Sequence, residues 1–246
     1  MFGFGTRRAA PTVPRTIEVA GRSVPLEVTR NPRARRITLR ADAVRGVVRL
    51  TLPQRARIGD AIDFLAAHEA WLRPRVAAWP APLPFVDGAT IPFDGGTLTL
   101  AWCTGTRGVV RDGDLLVVGG DVAALPGRVT RWLKAQAIAE LTHATHALAA
   151  AHGLSVAAVG VRDPAARWGS CSSSTRIAYS WRLVLTPPAV RASVVAPEVA
   201  HLVHPNHAPA FWAYAAHLGG DPTPHRRWLA RHGAGLHWVG RVGAVD

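Results

Sequence analysis

Apolar and polar residues alternate in three stretches near the start of the chain, 16–28, 36–40 and 47–52. A period of two predicts half-buried antiparallel strands there. Gly21-Arg22 and Arg45-Gly46 are the turn signals between them. From 59 to 78 the apolar positions Ile62, Leu65, Ala66, Trp71 and Leu72 recur near helical spacing. The stretch 78–84, with Pro80, Pro82 and Pro84, reads as a linker or surface turn. A short strand-rich segment, 86–118, follows, punctuated by Asp87-Gly88, Asp94-Gly95-Gly96 and Asp112-Gly113 as hairpin turns. The pattern then lengthens into one helix over 127–152. Val129, Trp132, Leu133, Ala137, Leu141, Ala144 and Leu148 form its apolar stripe, and Gly153 stops it. The run 177–185 reads as a strand. After it, Thr186-Pro187-Pro188 opens a further helix with a Thr cap and Pro in the first turn. Val190, Val194, Val195 and Val199 fill that helix's buried side. Together these elements predict an α+β fold, with a soft boundary near residue 120 between a strand-rich first part and a helix-rich second part. No internal repeat is apparent.

The helix after Pro188 carries the densest chemistry. Glu198 and His201 stand in the order E-x-x-H, and Pro205-Asn206-His207 follows. In the zinc-hydrolase motif H-E-x-x-H, the two His lie four apart and so share a helix face, aiming two imidazoles at one metal. The Glu beside them takes a proton from a metal-bound water. A third His six residues on requires the chain to leave the helix and turn back. Pro205-Asn206 suits that turn, and the span from 197 to 207 matches zincins with a third His. Here Pro197 occupies the place of the first His. Proline inside a helix removes one donor and clashes with the carbonyl four residues back, costing roughly 3 kcal/mol. A kink over Ser193–Pro197 is expected, with a fresh helix beginning at Pro197 as the rival geometry. Two imidazoles, His201 and His207, are fewer than the three protein ligands a catalytic zinc normally takes. His204, three residues after His201, is the candidate to complete the set. His143, His146 and His152 on the preceding helix lack matching ligand spacing and read as surface or packing residues.

The flanks add specificity. Upstream lie Arg167-Trp168-Gly169-Ser170-Cys171-Ser172 and Tyr179-Ser180-Trp181-Arg182-Leu183, and downstream Ala208-Pro209-Ala210-Phe211-Trp212 and Arg226-Arg227-Trp228-Leu229. In these segments the chain resembles the YgjP-like zinc metallopeptidases, relatives of the SprT and WLM zincins, over about 16–238. The resemblance implies a β-rich N-terminal part, 16–120, behind a flexible 1–15. A zincin-like metallopeptidase domain, 121–246, then carries its active-site helix beside a strand. It implies zinc as cofactor, a polypeptide as substrate, Glu198 as general base, and His201 and His207 as metal ligands; a catalytically inactive binding module for polypeptide or nucleic acid, and a nucleotide pyrophosphate hydrolase, are the alternatives. It further implies that the strand in 177–185 holds extended substrate by backbone pairing. Arg167, Trp168 and Cys171 read as supports around the site, since Cys171 has no base partner to make it a nucleophile. Besides Pro197, two departures stand out: Ser180 where the family usually has Asn, and Ala208 where Ser usually follows the third His.

Composition narrows the rest. The chain of 246 residues is 48% hydrophobic and 18% charged, as expected of a globular protein. No run approaches the 18 or so uncharged apolar residues that a membrane span needs, and no apolar leader follows Met1. A cytoplasmic protein with reduced Cys103 and Cys171 is the expectation. The 29 Lys and Arg against 16 Asp and Glu give a net +13, which favours a nucleotide or nucleic acid as partner. The same excess is what an Arg- and Ala-biased genome would impose without function.

Overall fold

The computed structural model describes residues 14–242; most of the segment expected to be flexible, 1–13, lies outside the described residues. The chain divides into two compact units at Pro80/Ala81, inside the Pro-rich stretch.

The first unit is built on strands β1 (Thr16–Val19), β2 (Arg22–Asn31), β3 (Thr38–Asp42) and β4 (Val47–Pro53). Each hairpin is antiparallel, but β2 and β4 run parallel, giving the order β1-β2-β4-β3. The alternation predicts strands correctly; it does not distinguish the direction of pairing. Ala20 and Gly21 take positive φ between β1 and β2, one residue earlier than expected. The helix expected over 59–78 is two, α1 (Ile58–Ala67) and α2 (Glu69–Ala77). His68 separates them: its imidazole contacts the Phe64 carbonyl at 2.8 Å, and its own carbonyl accepts from the N–H groups of Trp71 and Leu72. Val24, Leu26, Val48, Leu50, Leu52, Ala61, Leu72 and Val76 form this unit's interior.

The second unit opens with β5 (Thr90–Phe93), β6 (Gly96–Cys103), β7 (Val109–Asp112) and β8 (Leu115–Gly119), in the order β5-β6-β8-β7 with β6 and β8 parallel. This is the topology of the first sheet. The first hairpin of each pairs four residues with four in the same register, Val19 opposite Arg22 in one and Phe93 opposite Gly96 in the other. Each sheet then leads into a helix. This likeness of the two sheets is invisible in the sequence because turns and alternation, which many sequences satisfy, are what specify it. Asp94-Gly95 and Gly113 are the hairpin turns expected. Asp87-Gly88 instead precedes β5, where the Asp87 carboxylate accepts from the Trp102 N–H at 2.7 Å.

The helix α3 (Leu125–Ala151) buries Val129, Leu133, Ala137, Leu141, Thr145 and Ala149, a stripe of strict four-residue spacing. These residues share one core with Ile91, Leu98, Leu100, Leu116 and Val118. The compositional boundary near residue 120 therefore falls inside this unit, because the second sheet has no core of its own apart from α3. Next come β9 (Ala158–Arg162), β10 (Gly169–Cys171) and β11 (Arg176–Ser180), in the order β10-β11-β9. The expected strand 177–185 is therefore β11 followed by a 3₁₀ turn, Trp181–Leu185. The last helices are α4 (Pro188–Ala200), α5 (Pro209–Gly219) and α6 (Thr223–Leu236).

Arg182 fastens this part together. Its guanidinium donates to both carboxylate oxygens of Asp163, at 2.7 and 3.0 Å, and to the carbonyls of Leu236 and Val239, at 2.6 and 3.0 Å. Arg182 is 9% exposed. Removing it leaves a carboxylate and two carbonyls without their donor, so Arg182→Met should lower unfolding free energy by about 3 kcal/mol or more. Urea unfolding measures this; a loss under about 1 kcal/mol would mean that water replaces the guanidinium freely.

Candidate functional site

The site is set by how α4 is held. Val190, Val194, Val195 and Val199 are buried, as the pattern predicts. At the helix start, Arg191 donates to Asp94 at 2.8 Å, and Gly95 lets the β5–β6 turn approach Pro188. Thr186 is not the cap expected of it: its hydroxyl donates to the Leu183 and Pro187 carbonyls and closes the 3₁₀ turn, leaving Pro187 at the cap position. The helix runs on through Pro197 as one element, ending at Ala200, so no fresh helix begins at the proline. The His201 N–H still reaches the Pro197 carbonyl, at 3.2 Å, and the chain then unwinds through 201–204.

This arrangement puts three of the expected residues around one cleft of about 570 Å³. Glu198, His201 and His207 line it with Pro205, Arg167 and the 169–173 segment. Asn206 makes the return, its side-chain oxygen accepting the Ala208 N–H at 3.2 Å; Ala208 itself caps α5 without a side-chain bond. Phe211, fully buried, packs against both imidazoles, whose ring centroids are 4.9 Å apart. His207 also stacks on Trp212, over which the Arg226 guanidinium lies at 4.2 Å. Thus the Phe-Trp pair and Arg226, widely separated in the sequence, hold the third His in place.

His204 stands elsewhere. Its ring packs edge-on to Tyr214, with centroids 5.5 Å apart, and it does not line the cleft. Its carbonyl meets Nδ1 of His201 at 3.0 Å. Because a carbonyl only accepts, Nδ1 carries a proton, and in the neutral ring this is the tautomer a metal-ligating His usually has, with the Nε2 lone pair free. His143 and His146 are exposed on α3, and His152 packs on His217.

Glu198 is the most perturbed group here. Burial pushes its carboxyl up to about 7, the positive charge of Arg167 pulling the other way. Its Oε2 is buried with no hydrogen-bond partner among the described residues. Gly169 of β10 makes room for it, since a Cβ there would lie 2.6 Å from the Glu198 Cγ. That is the role of the glycine in Arg167-Trp168-Gly169, and Trp168 in turn rests on Gly233 of α6. Burial, then the Glu198 charge, raises the Cys171 thiol. Tyr179 and Thr145, a buried hydroxyl pair 3.0 Å apart beneath the sheet, had no signal in the sequence beyond their apolar surroundings.

The strand beside the site is β10, not β11. β11 is hydrogen-bonded on both sides, by β10 and by β9, so it has no free edge to offer a substrate. The Ser180 N–H donates to Trp168 and the Ser172 N–H to Arg176. By the alternation of an antiparallel ladder, the N–H and C=O groups of Gly169 and Cys171 point away from β11, to the open edge.

A family model described as "YgjP-like, metallopeptidase domain" matches residues 35–232. The chain belongs to the YgjP-like metallopeptidase family. Comparison with curated proteins and with solved structures returned no match. Membership brings with it a metal-dependent, peptidase-type site, and zinc can be tested against the residues present. They do not make up the usual set: two imidazoles face the cleft, His204 is turned to Tyr214, and Pro197 has no ligand atom to give. Among the described residues, no group of three or more His, Cys, Asp or Glu is arranged to hold a metal ion. Also among the described residues, no helix is long and apolar enough to cross a membrane.

The Glu198 carboxyl gives a prediction whose sign is fixed. Its pKa in the fold, about 7, lies above the ordinary 4.5, so its contribution is complete below the ordinary value and is lost as pH rises through about 7. Glu198→Gln, neutral throughout, should match the original chain at acid pH and exceed it at pH 8 by on the order of 3 kcal/mol. Urea unfolding at both pH values, in chelator, measures it; an equal difference at both would contradict it.

Proposed function

We propose that this YgjP-like protein keeps the polypeptide cleft of a metallopeptidase and has lost its metal-dependent turnover. The observation that carries the reading is the ligand count: one helical turn before His201, where the other helix imidazole belongs, stands Pro197. The cleft is otherwise furnished for an extended chain. The edge of β10 offers backbone donors and acceptors at Gly169 and Cys171, and a polypeptide added there as a further strand is recognised through its main chain. Glu198 lines that cleft, and burial, which pushes its carboxyl up to about 7, leaves it about half protonated near neutrality. Membership of the family and the shared cleft of Glu198, His201 and His207 support this reading.

A second reading, a working zinc hydrolase, is favoured by one detail. His201 is held in the tautomer a metal ligand needs, and an additional donor from outside the protein would then complete the site.

Cleavage and binding of an unfolded polypeptide such as casein, with zinc added, separate the two. The original chain is expected to bind casein and not cleave it. Pro197→His is expected to gain zinc-dependent cleavage that a further Glu198→Gln removes. Zinc-dependent cleavage by the original chain, lost in Glu198→Gln, would overturn the proposal in favour of the hydrolase. Absence of casein binding would overturn the binding role.

A further inference from the structure

The positive charge of the first unit is concentrated. Residues 30–57 contain nine Arg and a single acidic residue, Asp42. Asp42 is 8% exposed, and its carboxylate accepts the Arg45 N–H at 3.1 Å. Arg49 is already paired, with Glu27 at 2.8 Å across the sheet and with Asp42 at 3.7 Å. Arg30 is used structurally, donating to the carbonyls of Pro53, Gln54 and Ala56 and so bracing the turn after β4. Seven guanidiniums remain; setting aside Arg45 and Arg57, the other five, Arg33, Arg35, Arg36, Arg40 and Arg55, are exposed and in no ion pair among the described residues.

Their placement follows from the sheet. Asn31 pairs with Pro53 and Thr38 with Thr51, so the 31–37 and 53–57 turns lie side by side at one end of β2-β4-β3. Arg33, Arg35, Arg36 and Arg55 crowd that end. Arg40 extends the cluster along the outer face, two residues from the cross-strand row Thr29, Thr51, Thr38. The row's hydroxyls are further donors to an anion. Such a surface is basic and hydroxyl-bearing, its one exposed carboxylate, Glu27, already taken by Arg49, and it complements a polyphosphate backbone.

The type of nucleic acid is also readable. Between residues 14 and 57 there is no Phe, Tyr, Trp or His. Recognition of single strands draws on bases stacked over aromatic side chains, and this face has none to offer. A duplex presents its phosphates outward and asks only for positive charge and donors at suitable spacing. We infer that the β2-β4-β3 end of the first unit binds the phosphate backbone of duplex nucleic acid, without base specificity.

The test uses the full chain and a labelled mixed-sequence DNA duplex, with fluorescence anisotropy followed across salt concentration. Arg35→Ala, Arg36→Ala and Arg40→Ala are combined in one variant; none of the three has a side-chain hydrogen bond or ion pair among the described residues. The control combines Arg107→Ala, Arg131→Ala and Lys134→Ala, an equal charge loss at exposed positions of the second unit. The first variant should weaken duplex binding roughly tenfold or more and flatten the salt slope by roughly two to three, since each phosphate contact contributes about one. The control should leave the slope unchanged, and a single strand should bind more weakly than the duplex. Equal losses in the two variants would overturn the assignment, showing only net charge at work. So would absence of duplex binding at low salt, tighter binding of the single strand, or binding of phosphatidylserine vesicles in preference to DNA.

Discussion

The cleft depends on the rotation of α4 about its axis, and buried valines set that rotation. With Val190, Val194, Val195 and Val199 turned into the core, Glu198 is left facing Gly169 and His201 faces the cleft. The same rotation fixes which position could supply a second imidazole from this helix, because residues four apart share a face. That position is 197. Proline there leaves the phase of the helix intact, so Glu198 and His201 keep their places, and its side chain offers no ligand atom. A residue that rotated the helix would have cost the whole arrangement; proline removes one atom's chemistry and keeps the shape.

The third His illustrates how the remainder is held. His207 reaches His201 only because Pro205-Asn206 turn the chain and Phe211 fills the space behind both rings. Trp212 and Arg226 then support His207 from the other side. None of these contacts requires a metal, and all of them fix an imidazole beside the buried carboxyl. A cleft so maintained, next to an open strand edge, suits the holding of a polypeptide whether or not a bond is broken in it.

Much of this was legible in the sequence. The convergence of Glu198, His201 and His207 followed from helix spacing and a turn, both local properties. The stripe of α3 and the Asp94-Gly95 and Asp112-Gly113 hairpins were legible for the same reason. What escaped was set by distant partners. The resemblance implies substrate pairing along 177–185, and alternation alone, which does not tell an edge strand from a central one, could not show that β10 rather than β11 has the free edge. Arg182 carried no local signal, since its four bonds go to residues 19 to 57 positions away. Thr186 looked like a helix cap because its neighbours are Pro, but the nearer carbonyl of Leu183 takes its hydroxyl. The two four-stranded sheets share a topology and a register rather than residues.

Zinc content decides whether Pro197 has the consequence argued for it. Elemental analysis of the full chain, loaded with excess zinc and then dialysed against metal-free buffer, counts the ions held firmly. Far less than one zinc per chain is the predicted result, since two imidazoles give up the ion on dialysis. About one zinc per chain, retained, would contradict the account and mean that a third ligand completes the site despite the proline.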